Sequence, residues 1–195
     1  MTVAGMVLSG GRSVRFGSEK AAAVLSGRPL LLWATDRLAR SCGPVAISTR
    51  PGTEAERLAA AAGLPVLHDA AGDPDGPLAG VRAGLIWAQT IGARSLAVTP
   101  CDAPLLPDDL FVRLIAAAGP GAALAETADG LQPLCAVWPV TALPVLAEAL
   151  ADSAHPPTWR ILQNLDAAKV RFDDAKAFAN LNTRKDLERI QNLLA

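Results

Sequence analysis

The chain has 195 residues, 51% of them apolar and 19% charged, with a formal net charge of −1. That length suits one domain with a sizeable core, and the balance excludes both a disordered chain and the basic field of a nucleic-acid binder. Cys42, Cys101 and Cys135 are odd in number, far apart and without a Cys-x-x-Cys pair, which argues against a disulfide framework or a structural zinc site and fits a reducing cytoplasm.

Val3 to Leu8 is a short apolar run ending in glycines, the pattern of a strand buried on both faces of a parallel sheet. It is too short for a signal segment, and no later run is long enough to span a bilayer, so a soluble protein without membrane contact is expected. The strand feeds Leu8-Ser9-Gly10-Gly11-Arg12-Ser13-Val14-Arg15-Phe16-Gly17-Ser18-Glu19-Lys20, where three glycines and three cations coincide. Gly10, Gly11 and Gly17 let backbone N–H groups converge on an anion, and Arg12, Arg15 and Lys20 add charge, so the stretch reads as a polyphosphate cradle. A Walker A loop is excluded because Lys20 lies between Glu19 and Ala21, and the glycines do not have the spacing of a dinucleotide fingerprint. An ordinary basic strand-to-helix loop is the competing reading.

Ala21 to Leu25 is apolar and Ser26 to Pro29 is a turn, with Pro29 opening a helix whose stripe is Leu30, Leu31, Trp33, Ala34, Leu38 and Ala39. Val45 to Ser48 is a second strand, followed by an alanine-rich helix with a capping box of Thr53 and Glu56. Pro65 to Leu67 is a third strand that runs into His68-Asp69. The Gly72 to Pro77 loop then leads to a helix bearing Leu78, Val81, Leu85 and Ile86, on which Gly80 and Gly84 lie one turn apart. Ser95 to Thr99 is a fourth strand, closed by Pro100-Cys101-Asp102-Ala103-Pro104, and a helix from about Pro107 to Ala118 carries Asp108 and Asp109 in its first turn. This βα alternation with short connections predicts an α/β fold: a mostly parallel central sheet with helices on both faces.

Beyond Gly121, strands are expected at Ala122 to Ala125 and Leu134 to Trp138 around a polar Glu126 to Gln132 connection. A helix from Thr141 to Leu150, a loop at Ser153 to Thr158 with His155, a short helix from Trp159 to Leu165 and an edge strand at Val170 to Phe172 follow. Phe178 to Asn182 precede a last helix capped by Thr183 with Asp186.

In such a sheet ligands bind beyond the carboxyl ends of the strands. Lys20 is then a point charge for phosphate oxygens, and Asp102 is a carboxylate able to hold Mg²⁺, which takes its other ligands from phosphates and water. A turn or helix-capping role is the alternative for Asp102, and also for Asp69 at the end of the third strand. Gly76 to Gly80 would let a planar base approach the backbone. No Ser or Cys pairs with a His, so a covalent mechanism is not expected.

Four segments in order resemble the molybdenum cofactor guanylyltransferases, the MobA family of Rossmann-like nucleotidyltransferases. They are Leu8-Ser9-Gly10-Gly11 with Arg15, Gly17 and Lys20; Gly76-Pro77-Leu78-Ala79-Gly80; Pro100 to Pro104; and Phe178 to Thr183. The chain departs from the family pattern at Ser9, Phe16 and Glu19, which stand where the family has Ala, Met and usually Asp. The resemblance implies a three-layer fold of the nucleotide-diphospho-sugar transferase type, one domain over 1–195, with a nucleotide-binding part at 1–120 and an acceptor-binding part with the C-terminal helix at 121–195. It implies transfer of GMP from GTP to molybdopterin with release of pyrophosphate. Leu8, Ser9, Gly10, Gly11, Gly76, Pro77, Leu78 and Gly80 would lie near guanine and ribose, with Asp69 also at the nucleotide. Lys20 and Arg15 would meet phosphate, and Asp102 would hold Mg²⁺, with Mn²⁺ as an alternative. Asn180 and Asn182, with Gln132, Pro133 and Arg160, are assigned to the acceptor side. Transient contact with molybdoenzymes or other cofactor-biosynthesis proteins is a further implication. A cytidylyltransferase acting on the same pterin, another small-molecule nucleotidyltransferase, and a non-catalytic nucleotide-binding adaptor are the competing readings. The Leu-Ser-Gly-Gly and Gly-Pro-Leu-Ala-Gly forms favour guanine over cytosine.

Overall fold

The computed structural model describes residues 2–10, 16, 19–151 and 156–194. Nine strands are described: β1 Val3–Leu8, β2 Val24–Leu25, β3 Arg28–Pro29, β4 Val45–Ser48, β5 Val66–Leu67, β6 Ser95–Pro100, β7 Ala123–Thr127, β8 Gly130–Pro139 and β9 Ala168–Arg171. The α-helices are α1 Leu30–Ala39, α2 Glu54–Ala61, α3 Pro77–Thr90, α4 Leu110–Ala118, α5 Leu143–Ala151, α6 Thr158–Asn164 and α7 Arg184–Leu194. Seven strands form one sheet in the order β5-β4-β1-β6-β8-β7-β9. β5, β4, β1 and β6 are mutually parallel, β8 runs antiparallel to β6 and β7, and β9 is parallel to β7.

Alternation along the central strands divides the core. Val3 and Val7 of β1 pack with Leu31, Leu38, Ile47, Phe111 and Leu114 on the face covered by α1, α2 and α4. Ala4 and Met6 point the other way, to Leu85, Leu96, Trp138, Leu146 and Leu162 under α3, α5 and α6. A third, smaller cluster joins Leu25 and Leu30 to Leu181 and Ile190, with Trp33, Leu105 and Leu187 packed against it. It fastens α7 to the β2–β3 region. No helix among the described residues is long and apolar enough to cross a membrane.

The α/β architecture with helices on both faces is as the alternating pattern predicts; several boundaries differ for local reasons. Ser26 and Gly27 both take positive φ, 49° and 78°, which closes Val24–Leu25 and Arg28–Pro29 into a two-residue hairpin rather than a simple turn. Pro29 ends β3 and precedes the first helical residue, Leu30, instead of opening the helix. The helix expected from Pro107 begins at Leu110, leaving Asp109 as its N-cap residue, while Asp108 accepts from Arg37 at 2.9 Å and Arg40 at 2.7 Å on α1. The polar stretch Glu126 to Gln132 is mostly strand, because β7 and β8 pair across a tight turn, Thr127 opposite Gly130. Both predicted capping arrangements form. Thr183 Oγ1 accepts from Asp186 N at 3.2 Å while the Asp186 carboxylate accepts from Thr183 N at 2.8 Å. Thr53 Oγ1 accepts from Glu56 N at 3.3 Å, although Glu56 reaches back to Gly52 N, one residue earlier than a symmetric box requires.

Candidate active site

Four parallel strands end along one edge of the sheet, and the loops that leave them line a cavity of about 590 Å³. The register explains the convergence. Leu8 is level with Ser48 on one side and Pro100 on the other, Ser9 N donates to Ser48 O at 2.8 Å, and Cys101 N donates to Leu8 O at 3.1 Å. Residues just past each strand therefore face the same space: Ser9 and Gly10, Thr49 and Arg50, Asp69, Cys101 and Asp102.

On one side of the cavity Lys20 Nζ donates to Asp102 Oδ2 and to Asn182 Oδ1, both at 2.9 Å. The ion pair is largely shielded, with side-chain exposures of 16% and 18%, so its Coulomb attraction is less screened than at an open surface. Asn182 arrives there because Leu181 N donates to Asp102 O at 2.8 Å, which ties the segment before α7 to the loop after β6. The Asp186 carboxylate then takes Asn182 N at 3.0 Å as well as Thr183 N.

Opposite, α3 begins at the cavity rim. Gly76, at φ 152° and ψ 171°, holds a backbone conformation that residues with a Cβ rarely adopt, and as N-cap residue it brings no side chain of its own to cap the helix. The first turn thus presents N–H groups and the positive end of the helix dipole to the cavity. One turn on, a Cβ at Gly80 would lie 2.6 Å from Ser48 Oγ and 2.8 Å from Leu8 Cδ2, so this glycine lets α3 sit tightly on the ends of β4 and β1.

The acidic groups of the site differ in environment. Partial burial raises the pKa of Asp69, and the nearby charges of Asp73 and Asp75 raise it further, with His68 opposing them. Arg82 pairs with Asp73 at 2.6 Å and holds this acidic loop to α3. Cys101, although it borders the cavity, is buried. Burial and then the Asp102 charge push its thiol up to about 12, so it carries no thiolate at neutral pH.

Of the residues singled out in the sequence, Leu8, Ser9, Gly10, Lys20, Asp69, Gly76, Pro77, Gly80, Asp102 and Asn182 line this one cavity. Gly11 and Arg15 lie outside the described residues. Leu78 is buried in the core beneath α3 rather than at the cavity. Asn180 is exposed, Gln132 Nε2 donates within its own hairpin to Thr127 Oγ1 at 3.3 Å, and neither they nor Pro133 and Arg160 border the space. Arg160 instead lies over the half-exposed Trp159 ring, 5.7 Å from its centroid. Thr49 and Arg50 were not foreseen. The available signal was their position, immediately past a parallel strand.

A family model for the MobA-like NTP transferase domain matches residues 5–169. A molybdenum cofactor guanylyltransferase from Cereibacter sphaeroides is 40% identical over 195 residues, covering 100% of this chain and 98% of that protein. Another so named, from Rhodobacter capsulatus, is 40% identical over 198 residues, with 100% and 97% covered. The crystal structure of molybdopterin-guanine dinucleotide biosynthesis protein A from Archaeoglobus fulgidus superposes with a TM-score of 0.75 at 23% identity, covering 100% of this chain and 98% of that one, and shares its fold. With the family model spanning most of the chain and relatives aligned along all of it, the chain belongs to the MobA-like NTP transferase family and is a nucleotidyltransferase.

Proposed function

We propose that the chain transfers GMP from GTP to molybdopterin, releasing pyrophosphate and giving the guanine dinucleotide form of the cofactor. The observation that carries this reading is the junction of Lys20, Asp102 and Asn182 beside one cavity, reached from three distant parts of the sequence. A terminal phosphate oxygen of molybdopterin attacks the α-phosphorus of GTP, and the bond from that phosphorus to the pyrophosphate oxygen breaks. The protein then needs no nucleophile of its own, in keeping with a buried, protonated Cys101. Its work is to hold two anionic substrates in line and to neutralise charge as it moves to pyrophosphate. Lys20 exchanges its carboxylate and amide partners for phosphate oxygens, and the backbone at Gly10 and the N–H groups at the start of α3 face the nucleotide.

Nucleotidyl transfer in such families generally uses a divalent metal ion. Among the described residues no three His, Cys, Asp or Glu side chains gather to hold one, but Asp102 supplies one hard carboxylate and Asn182 a nearby amide oxygen. That set fits Mg²⁺, which binds through one or two carboxylates and completes its shell with phosphate and water; Mn²⁺ has the same oxygen preference. Asp102 would hold the ion, whose contribution is charge neutralisation on the phosphates. In this reading residues 1–120 bind the nucleotide and 121–195 bring the acceptor, with Asn182 at the seam. Three cysteines, free in the fold and two of them buried, support a cytoplasmic setting.

The test is product analysis with molybdopterin and each of the four ribonucleoside triphosphates. GTP is expected to exceed CTP by at least about tenfold in kcat/KM, roughly 1.4 kcal/mol of differential transition-state binding. Equal use of the two would overturn the choice of base. Tight GTP binding with no pyrophosphate release would identify an adaptor instead.

A further inference from the structure

Glu19, the residue before Lys20, departs from the family pattern, and its carboxylate makes a contact unrelated to nearby sequence. Oε2 accepts from Glu54 N at 2.7 Å and Oε1 from Ala55 N at 2.8 Å. These are the first two N–H groups of α2, which have no acceptor inside the helix, and a carboxylate there also meets the positive end of the dipole. The bond therefore joins the phosphate-side loop to a helix 35 and 36 positions further along the chain.

The helix so gripped is itself fastened to the opposite cavity wall. Thr53, its N-cap residue, donates to Arg50 O at 2.8 Å, and Thr53 Oγ1 lies 2.9 Å from Thr49 Oγ1. His68 Nδ1 lies 2.8 Å from Thr49 O on the third side of the same turn. Immediately after Glu19 the chain enters a single 3-10 turn, Lys20–Ala22, with Ala21 buried, and from there Lys20 reaches Asp102 and Asn182. Lys20 thus springs from a backbone pinned one residue upstream by Glu19 and one residue downstream by core packing.

We propose that Glu19 is a positioning residue: by bridging to the first N–H groups of α2, it sets the backbone from which Lys20 meets the triphosphate and couples that lysine to the Thr49–Arg50 wall. The proposal rests on the reading of the cavity as a nucleotide site. Both carboxylate oxygens serve as acceptors, so the amide of Glu19→Gln, with one acceptor, satisfies one N–H and sets its own NH₂ against the other.

A double-mutant cycle decides the matter, read as the Kd of GTP measured by calorimetry for the parent, Glu19→Ala, Lys20→Ala and the double variant. Glu19→Ala is expected to weaken GTP about tenfold in the parent and less than twofold once Lys20 is gone, with Glu19→Gln between parent and Glu19→Ala. Glu56→Ala removes different contacts at the same helix entrance, to Gly52 N and to His68 Nε2 at 3.1 Å, while leaving the Glu19 bonds in place, and serves as the folding control. It should lower the melting temperature while leaving Kd within twofold. An equal loss from Glu19→Ala in both backgrounds, no loss in either, or a matching loss from Glu56→Ala would overturn the assignment to Lys20. Should the parent bind another triphosphate and not GTP, the base assignment fails, and the same cycle run with that nucleotide decides Glu19. A parent that binds no triphosphate overturns both.

Discussion

Lys20 sits between a carboxylate and an amide oxygen, so each of its neighbours competes with the phosphate it is proposed to meet. Removing the lysine leaves Asp102 partly buried without this partner and strips the charge from the transition state. Lys20→Ala is expected to lower kcat/KM by roughly 10²- to 10³-fold, the scale of losing one stabilising donor aimed at developing charge. Asp102→Asn keeps the shape and loses the charge, and it should cause a comparable loss that excess metal ion does not restore. Steady-state pyrophosphate release checks both; parental rates in either variant would remove that residue from the mechanism. Asp102 was legible in the sequence because it sits just past a recognisable strand, and Lys20 because it closes a glycine-rich, cationic loop that leaves one. Asn182 was legible only through the family resemblance, since it meets a lysine 162 positions earlier and nothing local announces that contact. Glu19 was visible as a departure whose purpose the sequence did not disclose, because the N–H groups it serves belong to a helix with a complete capping signature of its own.

At the scale of elements, α3 shows how close packing is written in a sequence. Gly80 and Gly84 lie one turn apart on its buried side, and a Cβ at Gly84 would press on Met6 Sδ and come within 2.7 Å of Leu96 Cδ2. The helix consequently rides low on β1 and β6, which sets the position of its first turn at the cavity. Gly84→Ala gains helix propensity, about 1 kcal/mol, but overpacks a rigid interface, which costs about 1–3 kcal/mol. A net loss is expected in chemical denaturation, with turnover per folded molecule retained because Gly84 does not border the cavity. A gain in stability would show that Met6 and Leu96 yield more readily than dense packing implies. The one-turn spacing of the two glycines suggests the close approach of a neighbour's backbone, whereas side chains of Met6, Leu96, Ser48 and Leu8 fill the space. The β2–β3 hairpin and the full length of β8 were not readable in advance, since two-residue strands carry no period and Glu126 to Gln132 is polar despite its pairing. Tertiary pairing overrode local composition in both places.

For the whole molecule, the two faces of the sheet account for most of the core, but the site depends on the small third cluster that docks α7. Docking is reinforced by Asp186, whose pKa is lowered by hydrogen bonds from Thr183 and Asn182. A lowered folded pKa means that the carboxylate's contribution is fully present above its ordinary value, about 4, and is lost as pH falls through the depressed value. The denaturation midpoint should therefore fall on acidification over that window, and Asp186→Asn should flatten part of that slope. An unchanged pH profile in the variant would show that the cap is not linked to global stability. Leu181 N on Asp102 O carries a consequence for synthesis of the chain. Asp102 is made about 80 residues before the segment that closes over it, on the order of ten seconds at typical elongation rates. During that interval the nascent sheet edge has its lysine and its aspartate but not its asparagine. In the proposed reading nucleotide binding needs all three, so it would become available only once α7 has docked, and the ligand would then seal a folded sheet edge instead of templating its folding.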